Sequence, residues 1–174
     1  MATKRAAAKK PATTKSSERS AGRDAVDVLK ADHKEVKALF KQYKSLVESE
    51  EIGEERQAVA QQICLLLTVH ATAEEEILYP AARAAIDESD LLDEAEVEHA
   101  SAKDLIAQIE AMNPDDALYD AKVTVLGEYI DHHVEEEESE MFPKCRKSNM
   151  DLVALGKAID ARKAQLMDEM GAVA

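Results

Sequence analysis

The sequence contains no tryptophan, two cysteines, four prolines and five glycines among its 174 residues, and aromatic residues make up only 3% of it. This shortage of helix-breaking residues, together with abundant Ala, Leu, Glu and Lys, favours a mostly helical protein. The widely separated Cys64 and Cys145 imply no disulfide framework, which fits the reducing cytoplasm. No apolar run is long enough to span a bilayer, and none follows the basic N-terminus as a secretory signal requires. We therefore expect a cytoplasmic protein without a membrane segment.

The charges divide the chain into a basic N-terminus and an acidic body. Residues 1–23 contain seven of the 22 Lys and Arg and one of the 36 Asp and Glu, which leaves 15 and 35 for the body. Such an acidic body is a poor candidate for binding nucleic acid. Residues 1–22 show no apolar period, so we expect a disordered tail. We interpret it as solubilising; the alternative is weak contact with nucleic acid, because its composition resembles a histone tail.

Two segments share the pattern His-x3-Glu-x5-Pro, with an aromatic residue immediately before the proline. The first spans residues 70–80 and the second spans residues 133–143. Because residues four apart share one face of a helix, each segment presents an imidazole and a carboxylate from a single stripe. The spacing of the neighbouring apolar residues predicts that this stripe faces the interior.

Apolar residues recur at spacings of three and four along four segments, which predicts four long amphipathic helices. Residues typical of helix starts precede several of these segments. Pro80 should kink or end the second helix, because it has no backbone N–H to donate. The expected starts are Asp24 for the first helix, the residues after Gly53 for the second, Ser89–Asp90 for the third, Asn113–Pro114 for the fourth and Ser148–Asn149 for a shorter fifth.

Four helices with short connections predict an all-α protein, an antiparallel up-down-up-down four-helix bundle. The first helix resembles the third around Asp32-His33 and Glu98-His99, and the second resembles the fourth across the His-x3-Glu-x5-Pro segments. The two helix pairs should therefore be related by a pseudo-twofold axis. The expected organisation is a disordered basic tail at 1–22, the bundle at 23–147 and a C-terminal amphipathic helix packed on the bundle at 148–174.

The pseudo-twofold axis would bring six polar residues together inside the bundle. Burying a carboxylate costs several kcal/mol unless a partner compensates it, so a metal site explains the set better than a hydrogen-bonded polar core. Imidazoles and carboxylates suit first-row metals such as iron, manganese or zinc, and carboxylates can bridge two ions about 3.5–4 Å apart. The predicted metal ligands are His33, His70, Glu74, His99, His133 and Glu137.

These residues, with the Glu-rich runs that end in Leu-Tyr-Pro and Met-Phe-Pro, resemble the hemerythrin-like, or HHE cation-binding, family from Val26 to Arg146. The resemblance implies a four-helix bundle around two non-haem iron ions that share carboxylate bridges. It assigns the bridges to Glu74 and Glu137. The implied histidine ligands are His33 and His70 for one iron, and His99 and His133 for the other.

The chain departs from the oxygen-carrying members of that family at two places. Lys103 stands where they have a second histidine on the third helix, and the fourth helix has His-x3-Glu where they have His-x4-Asp. Fewer histidines leave more open metal positions, which favours binding or reaction of O2, nitric oxide or peroxide, in sensing, iron handling or scavenging, over oxygen transport. Two alternatives stay open: a di-iron enzyme that decomposes peroxide or oxidises ferrous iron, and a metal-stapled interaction protein whose tail contacts nucleic acid.

Several neighbours of the six residues are expected to lie outside the ligand set. His132 falls about 100° away from the inward stripe, and Glu140 should point at water. Tyr79 is nine residues after His70, which places it on the opposite face of a regular helix, where it should pack as Phe142 does in the second repeat. The remaining acidic residues are interpreted as a solvated face: Glu75, Glu76, Glu135, Glu136 and Glu138.

Overall fold

The computed structural model describes residues 23–49 and 53–171, which form helices and the turns between them. Two of the long helices contain a single π-helical turn, and each then continues as a short α-helix. The elements are α1 (Ala25–Glu48), α2 (Gly53–Ala73), the first π turn (Glu74–Leu78), α3 (Tyr79–Ala85), α4 (Ser89–Glu110), α5 (Tyr119–Glu136), the second π turn (Glu137–Met141), α6 (Phe142–Lys147) and α7 (Leu152–Gly171).

The long helices pack as the predicted bundle. α1 contacts α2 and α5, and α4 contacts α5 and α2, while α7 packs outside against α1 and α2. The predicted four-helix bundle with an additional C-terminal helix is therefore confirmed. The predicted disordered tail lies outside the described residues. Among the residues described, no helix is both long enough and apolar enough to cross a bilayer.

The apolar core is divided into two clusters by a polar layer. On α1, Leu29 belongs to one cluster and Val36 to the other, and the buried His33 lies between them. The same order recurs on α4, where His99 lies between Ala95 and Ala102. The heptad positions that continue the apolar stripe therefore place polar side chains in the middle of the bundle, enclosed on both sides by packed hydrophobic residues.

The π turns shift the helical register immediately after the two inward glutamates. The N–H of Tyr79 bonds to the carbonyl of Glu74, and that of Phe142 bonds to the carbonyl of Glu137. Each turn thus holds one residue more than an α-helical turn, which rotates everything that follows by about 100°. The prediction that Tyr79 lies on the opposite face was wrong for this reason: the rotation brings its side chain into the core, where it is 1% exposed.

Two predicted helix starts were also wrong. α5 begins at Tyr119 rather than at Asn113–Pro114, because the Asp116 carboxylate accepts the Asn113 N–H at 2.9 Å and closes a turn there. α7 begins after Asp151, whose carboxylate accepts the Ala154 N–H at 3.0 Å. A carboxylate in this position caps the first turn of a helix, so Asp151 takes the role expected of Ser148–Asn149.

Candidate metal centre

The structure brings the six predicted ligands together in the polar layer. None of them is more than 6% exposed. The histidines form two pairs: Nε2 of His33 is 3.3 Å from Nε2 of His70, and Nε2 of His99 is 3.0 Å from Nε2 of His133. These are the same two pairs that the family resemblance implied. That the six residues bind metal stays a prediction.

The two glutamates connect the histidine pairs. Glu74 Oε2 is 3.1 Å from His70 Nε2 and 3.5 Å from His99 Nε2. Glu137 Oε2 is 3.3 Å from His33 Nε2 and 3.5 Å from His133 Nε2. Each carboxylate therefore contacts one imidazole from each pair, which is the arrangement that a carboxylate bridging two metal ions requires.

Four carboxylates hold the other ring nitrogen of each imidazole. Each contact joins residues from different long helices, at 2.7–3.2 Å. In a neutral imidazole, an Nδ1–H that donates to a carboxylate leaves the lone pair on Nε2 directed at the centre, as metal-binding histidines commonly have it. The pairs are His33 with Glu138, His70 with Asp32, His99 with Glu75 and His133 with Glu98.

The interpretation of Glu75 and Glu138 as part of a solvated face was wrong. Both are half-buried, and each directly follows one of the two buried glutamates, Glu74 or Glu137, in the chain. Asp32 and Glu98 precede His33 and His99 in the same regular way. In each case the outer carboxylate is the sequence neighbour of a buried residue of the centre, and this regularity was a sequence signal for the four carboxylates. Only the packing shows that each one reaches an imidazole on a neighbouring helix.

Lysines contact three of these outer carboxylates, and the exposed His132 lies beside the fourth. Lys103 Nζ is 2.5 Å from Glu75 Oε2, so this lysine contacts the centre from outside the predicted ligand set. A lysine on the outer oxygen balances the negative charge that the carboxylate brings to the site. The other contacts are Lys163 with Asp32, Lys30 with Glu138 at 3.4 Å and His132 with Glu98 at 3.6 Å.

Two aromatic rings close the centre on the side of the π turns. Phe142 stacks on His33 with ring centroids 5.7 Å apart, and Tyr79 stacks on His99 at 5.4 Å. The Tyr79 hydroxyl also donates to Glu137 Oε1 at 3.1 Å. Burial and the neighbouring carboxylates, Glu74 first, raise the pKa of Tyr79 well above its ordinary value, so the hydroxyl keeps its proton.

The electrostatics of the centre favour the binding of a cation. Burial lowers the pKa of the His70 imidazole, but Glu74 and Asp32 outweigh burial and raise it to about 10. Burial likewise raises the pKa of Glu137, but contact with His33 and the charge of His133 bring it down to about 2. The Glu137 carboxylate is therefore held in its charged form although it is fully buried.

Hydrogen bonds leave three of the four carboxylate oxygens of Glu74 and Glu137 unsatisfied. Among the described residues, both oxygens of Glu74 and Oε2 of Glu137 are buried without a hydrogen-bond partner, because their contacts with the imidazoles lack hydrogen-bond alignment. An ionised carboxylate left unpartnered in the interior costs several kcal/mol. Metal ions between the inward nitrogens and these oxygens would remove that cost, so the residues present fit a metal centre.

A small enclosed cavity of about 20 Å³ adjoins the centre. The four histidines and apolar side chains such as Val36 and Ile106 line it, and Lys103 reaches it from the outside. A cavity of that volume holds about one water molecule. The space beside the histidines thus suits a ligand of two or three atoms.

His132 and Glu140 lie outside this buried set, as expected. The His132 side chain is 62% exposed and contacts Glu98 and Glu136. Glu140 is exposed and pairs with Lys144. Glu76 is likewise at the surface, where its carboxylate accepts from Arg162 of α7. The acidic-face interpretation therefore holds for Glu76, although not for the two glutamates that reach imidazoles.

Three comparisons with known proteins give matches. The model of the hemerythrin HHE cation binding domain family matches residues 24–145. A protein of Nostoc sp. named DNA nickase is 34% identical over 122 residues, which are 70% of this chain and 33% of that protein, so the chain spans about a third of its length. A crystal structure of a hemerythrin HHE cation binding domain-containing protein from Mycobacterium kansasii has a TM-score of 0.70 and 26% sequence identity, with 84% of this chain and 89% of that chain covered.

Proposed function

The chain belongs to the hemerythrin HHE cation-binding family, and we propose that it holds two non-haem iron ions and binds or reacts with O2, nitric oxide or peroxide. The observation that supports this most directly is the geometry of Glu74 and Glu137. Each is buried and in contact with one imidazole of each histidine pair. Two histidines for each ion and two shared carboxylates make up the proposed ligand set.

The ligand count and the adjoining cavity suggest what the centre acts on. Iron with two histidines and shared carboxylates keeps positions open, and non-haem iron supplies the redox chemistry that O2, nitric oxide and peroxide undergo. The small cavity beside the four histidines has room for a molecule of that size. Its apolar wall favours an uncharged ligand. Sensing, iron handling and scavenging are the roles consistent with such a site.

A di-iron enzyme is the first alternative, and Tyr79 is the observation that favours it. Its hydroxyl is 3.1 Å from Glu137 Oε1 and 3.3 Å from His99 Nε2, so a hydrogen-bond donor lies at the edge of the centre. Such a donor could stabilise charge that develops on oxygen during peroxide decomposition or the oxidation of ferrous iron. Repeated turnover of peroxide or of ferrous iron, as opposed to a single binding event, would identify the enzyme.

A nucleic-acid-directed function is the second alternative. The Nostoc relative is named DNA nickase, and residues 1–23 of this chain carry seven basic residues. The acidic body repels phosphates, so affinity for DNA would have to come from the basic tail. Deletion of residues 1–22 should therefore abolish any DNA binding and leave the metal content unchanged, as gel-shift and metal assays would measure.

A cytoplasmic location is part of the main proposal and rests on the two free, buried thiols.

The deciding experiment is the metal content of protein purified from cells without added metal. About two irons per chain, by elemental analysis, would support the proposal. The reduced protein would then be exposed to O2, nitric oxide and peroxide, with absorption spectra recorded for each. Absence of bound iron, together with unchanged thermal stability in His33→Ala and Glu137→Ala, would refute it.

A further inference from the structure

A second group of metal-ligating side chains lies at the surface next to the centre. His132 Nε2 is 3.6 Å from Glu98 Oε1 and 3.6 Å from Glu136 Oε1, and the three atoms lie within 4.8 Å of one another. Two ligand atoms bound to one tetrahedral metal ion are about 3.4 Å apart. These three residues, here named the surface triad, therefore have the spacing and the chemistry to bind one divalent cation.

Glu98 connects the surface triad to the centre. Its Oε1 faces His132, and its Oε2 accepts from His133 Nδ1 at 2.7 Å. A cavity of about 230 Å³ opens at the same place, and its lining includes His99 and His133 as well as the exposed Tyr129. That volume has room for several water molecules, so a hydrated cation fits between the surface and the buried histidines.

Among the described residues, the other half of the molecule has no such group, although the sequence repeat relates the two halves. The counterparts of His132 and Glu136 are Val69 and Ala73, which are 1% and 0% exposed. α7 packs across that half and contacts both α1 and α2. Within the described part of the chain, the face between α4 and α5 is therefore the open side of the centre, and it is the side that bears a titratable, metal-ligating histidine.

We propose that the surface triad is an entry site that collects ferrous iron from solvent and passes it to the His99–His133 side of the centre. The inference rests on the proposed function, because an entry site has a role only where a buried metal centre must be filled. Two carboxylates and an imidazole suit ferrous iron. Their partial exposure makes binding weaker and exchange faster than at the buried centre. Acidic side chains at the mouth of a cavity also raise the local concentration of cations.

The test compares iron loading in four proteins of residues 1–174 that are first stripped of metal. The proteins are the natural chain, His132→Gln, Glu136→Gln and Glu135→Gln. Glu135 is exposed on the same helix and belongs to neither the centre nor the surface triad. Anaerobic titration with Fe²⁺ measures the number and affinity of the sites, and rapid mixing with Fe²⁺ measures the rate at which the centre fills. Glu136→Gln is a second variant of the surface triad.

The natural chain and Glu135→Gln should bind two irons tightly and a third weakly. His132→Gln and Glu136→Gln should keep the two tight irons, lose the third and fill the centre about tenfold more slowly. Equal loading rates and equal stoichiometry in all four proteins would overturn the entry site and leave the di-iron proposal intact. Fewer than two tight irons in the natural chain would overturn the di-iron proposal, and the entry site with it.

Discussion

At the scale of single residues, the centre consists of two layers with different roles. The inner layer of four imidazoles and two carboxylates presents nitrogen and oxygen lone pairs to the interior. The outer layer of four carboxylates orients the imidazoles, and lysines contact three of the four. Lys103 belongs to neither layer. It contacts Glu75, which in turn contacts His99 Nδ1.

The inner carboxylates give the first prediction. Glu74→Ala and Glu137→Ala should each lose metal, because each removes a group that contacts both histidine pairs. Metal added at about 100 times its dissociation constant stabilises a folded protein by about 2.7 kcal/mol, and that increment should shrink or vanish in both variants. Metal per chain and melting temperature, with and without metal, are the measurements.

Glu135→Ala is the matched control, since it removes an exposed carboxylate from the same acidic run. It should keep both the metal and the metal-dependent rise in melting temperature. Identical behaviour of the three variants would show that the inward stripe is not the ligand set.

The Tyr79 hydroxyl gives the second prediction. Tyr79→Phe removes the donor to Glu137 Oε1 and should lower stability by about 0.5–1.5 kcal/mol. Metal affinity should also fall about tenfold, as it does when outer partners of a metal ligand are lost. Urea denaturation and metal titration measure the two effects. Tyr129→Phe is the control, because Tyr129 is 53% exposed, and a similar loss of affinity there would contradict the argument.

At the scale of elements, the π turns and α7 decide which residues reach the centre. Each π turn begins at one of the two buried glutamates and ends immediately before the aromatic residue that stacks on a histidine. α7 adds a fifth helix to one side of the bundle only, where Lys163 reaches Asp32. The bundle therefore has a covered half and an open half around a centre that is otherwise pseudo-symmetric.

The close packing of α7 gives the third prediction. A Cβ atom at Gly156 would lie 2.6 Å from the carbonyl oxygen of Arg23 and 2.9 Å from the backbone nitrogen of Ala25. Because the obstacle is backbone, Gly156→Ala must displace α7 and should destabilise the protein by about 1–3 kcal/mol. Urea denaturation measures the change.

Gly127→Ala is the comparison for that variant. Gly127 also lies inside a helix, so alanine brings the same gain in helix propensity, about 1 kcal/mol. A Cβ there would lie 3.1 Å from the ring of Phe40, a side chain at the edge of the core that can move. Gly127→Ala should therefore be neutral or stabilising. Equal effects at the two positions would show that α7 does not pack tightly against the start of α1.

At the scale of the whole molecule, the fold buries the thiols of Cys64 and Cys145 away from solvent and from thiol reagents. Burial, with the charge of Glu110, raises the pKa of Cys64 to about 12, and burial, with the charge of Glu137, raises that of Cys145 to about 11. Only a thiolate reacts readily with thiol reagents. At pH 8 the folded protein should therefore not react with a coloured disulfide reagent, whereas protein in urea should release about two equivalents. Fast reaction of the folded protein would show that the core opens.

Much of the fold could be predicted from local patterns. Spacings of three and four residues placed His33 and His99 at buried heptad positions, and the His-x3-Glu repeat placed Glu74 and Glu137 on the same stripe. These predictions depend only on helical periodicity, which a sequence displays directly. Helix starts were less predictable. Asn113 and Asp116 both suit a helix start, and the turn that Asp116 closes moved the start of α5 to Tyr119.

The sequence by itself determined the helical class, the internal repeat and the six inward residues, because each follows from residue type and spacing along one helix. Only the tertiary structure decided that Tyr79 reaches the centre, since a π turn changes the register without a distinctive sequence signal. It alone decided that four carboxylates support histidines on neighbouring helices, and that α7 covers one half of the centre and leaves the half with His132 open. Those features depend on how separate helices pack, which no spacing within one helix specifies.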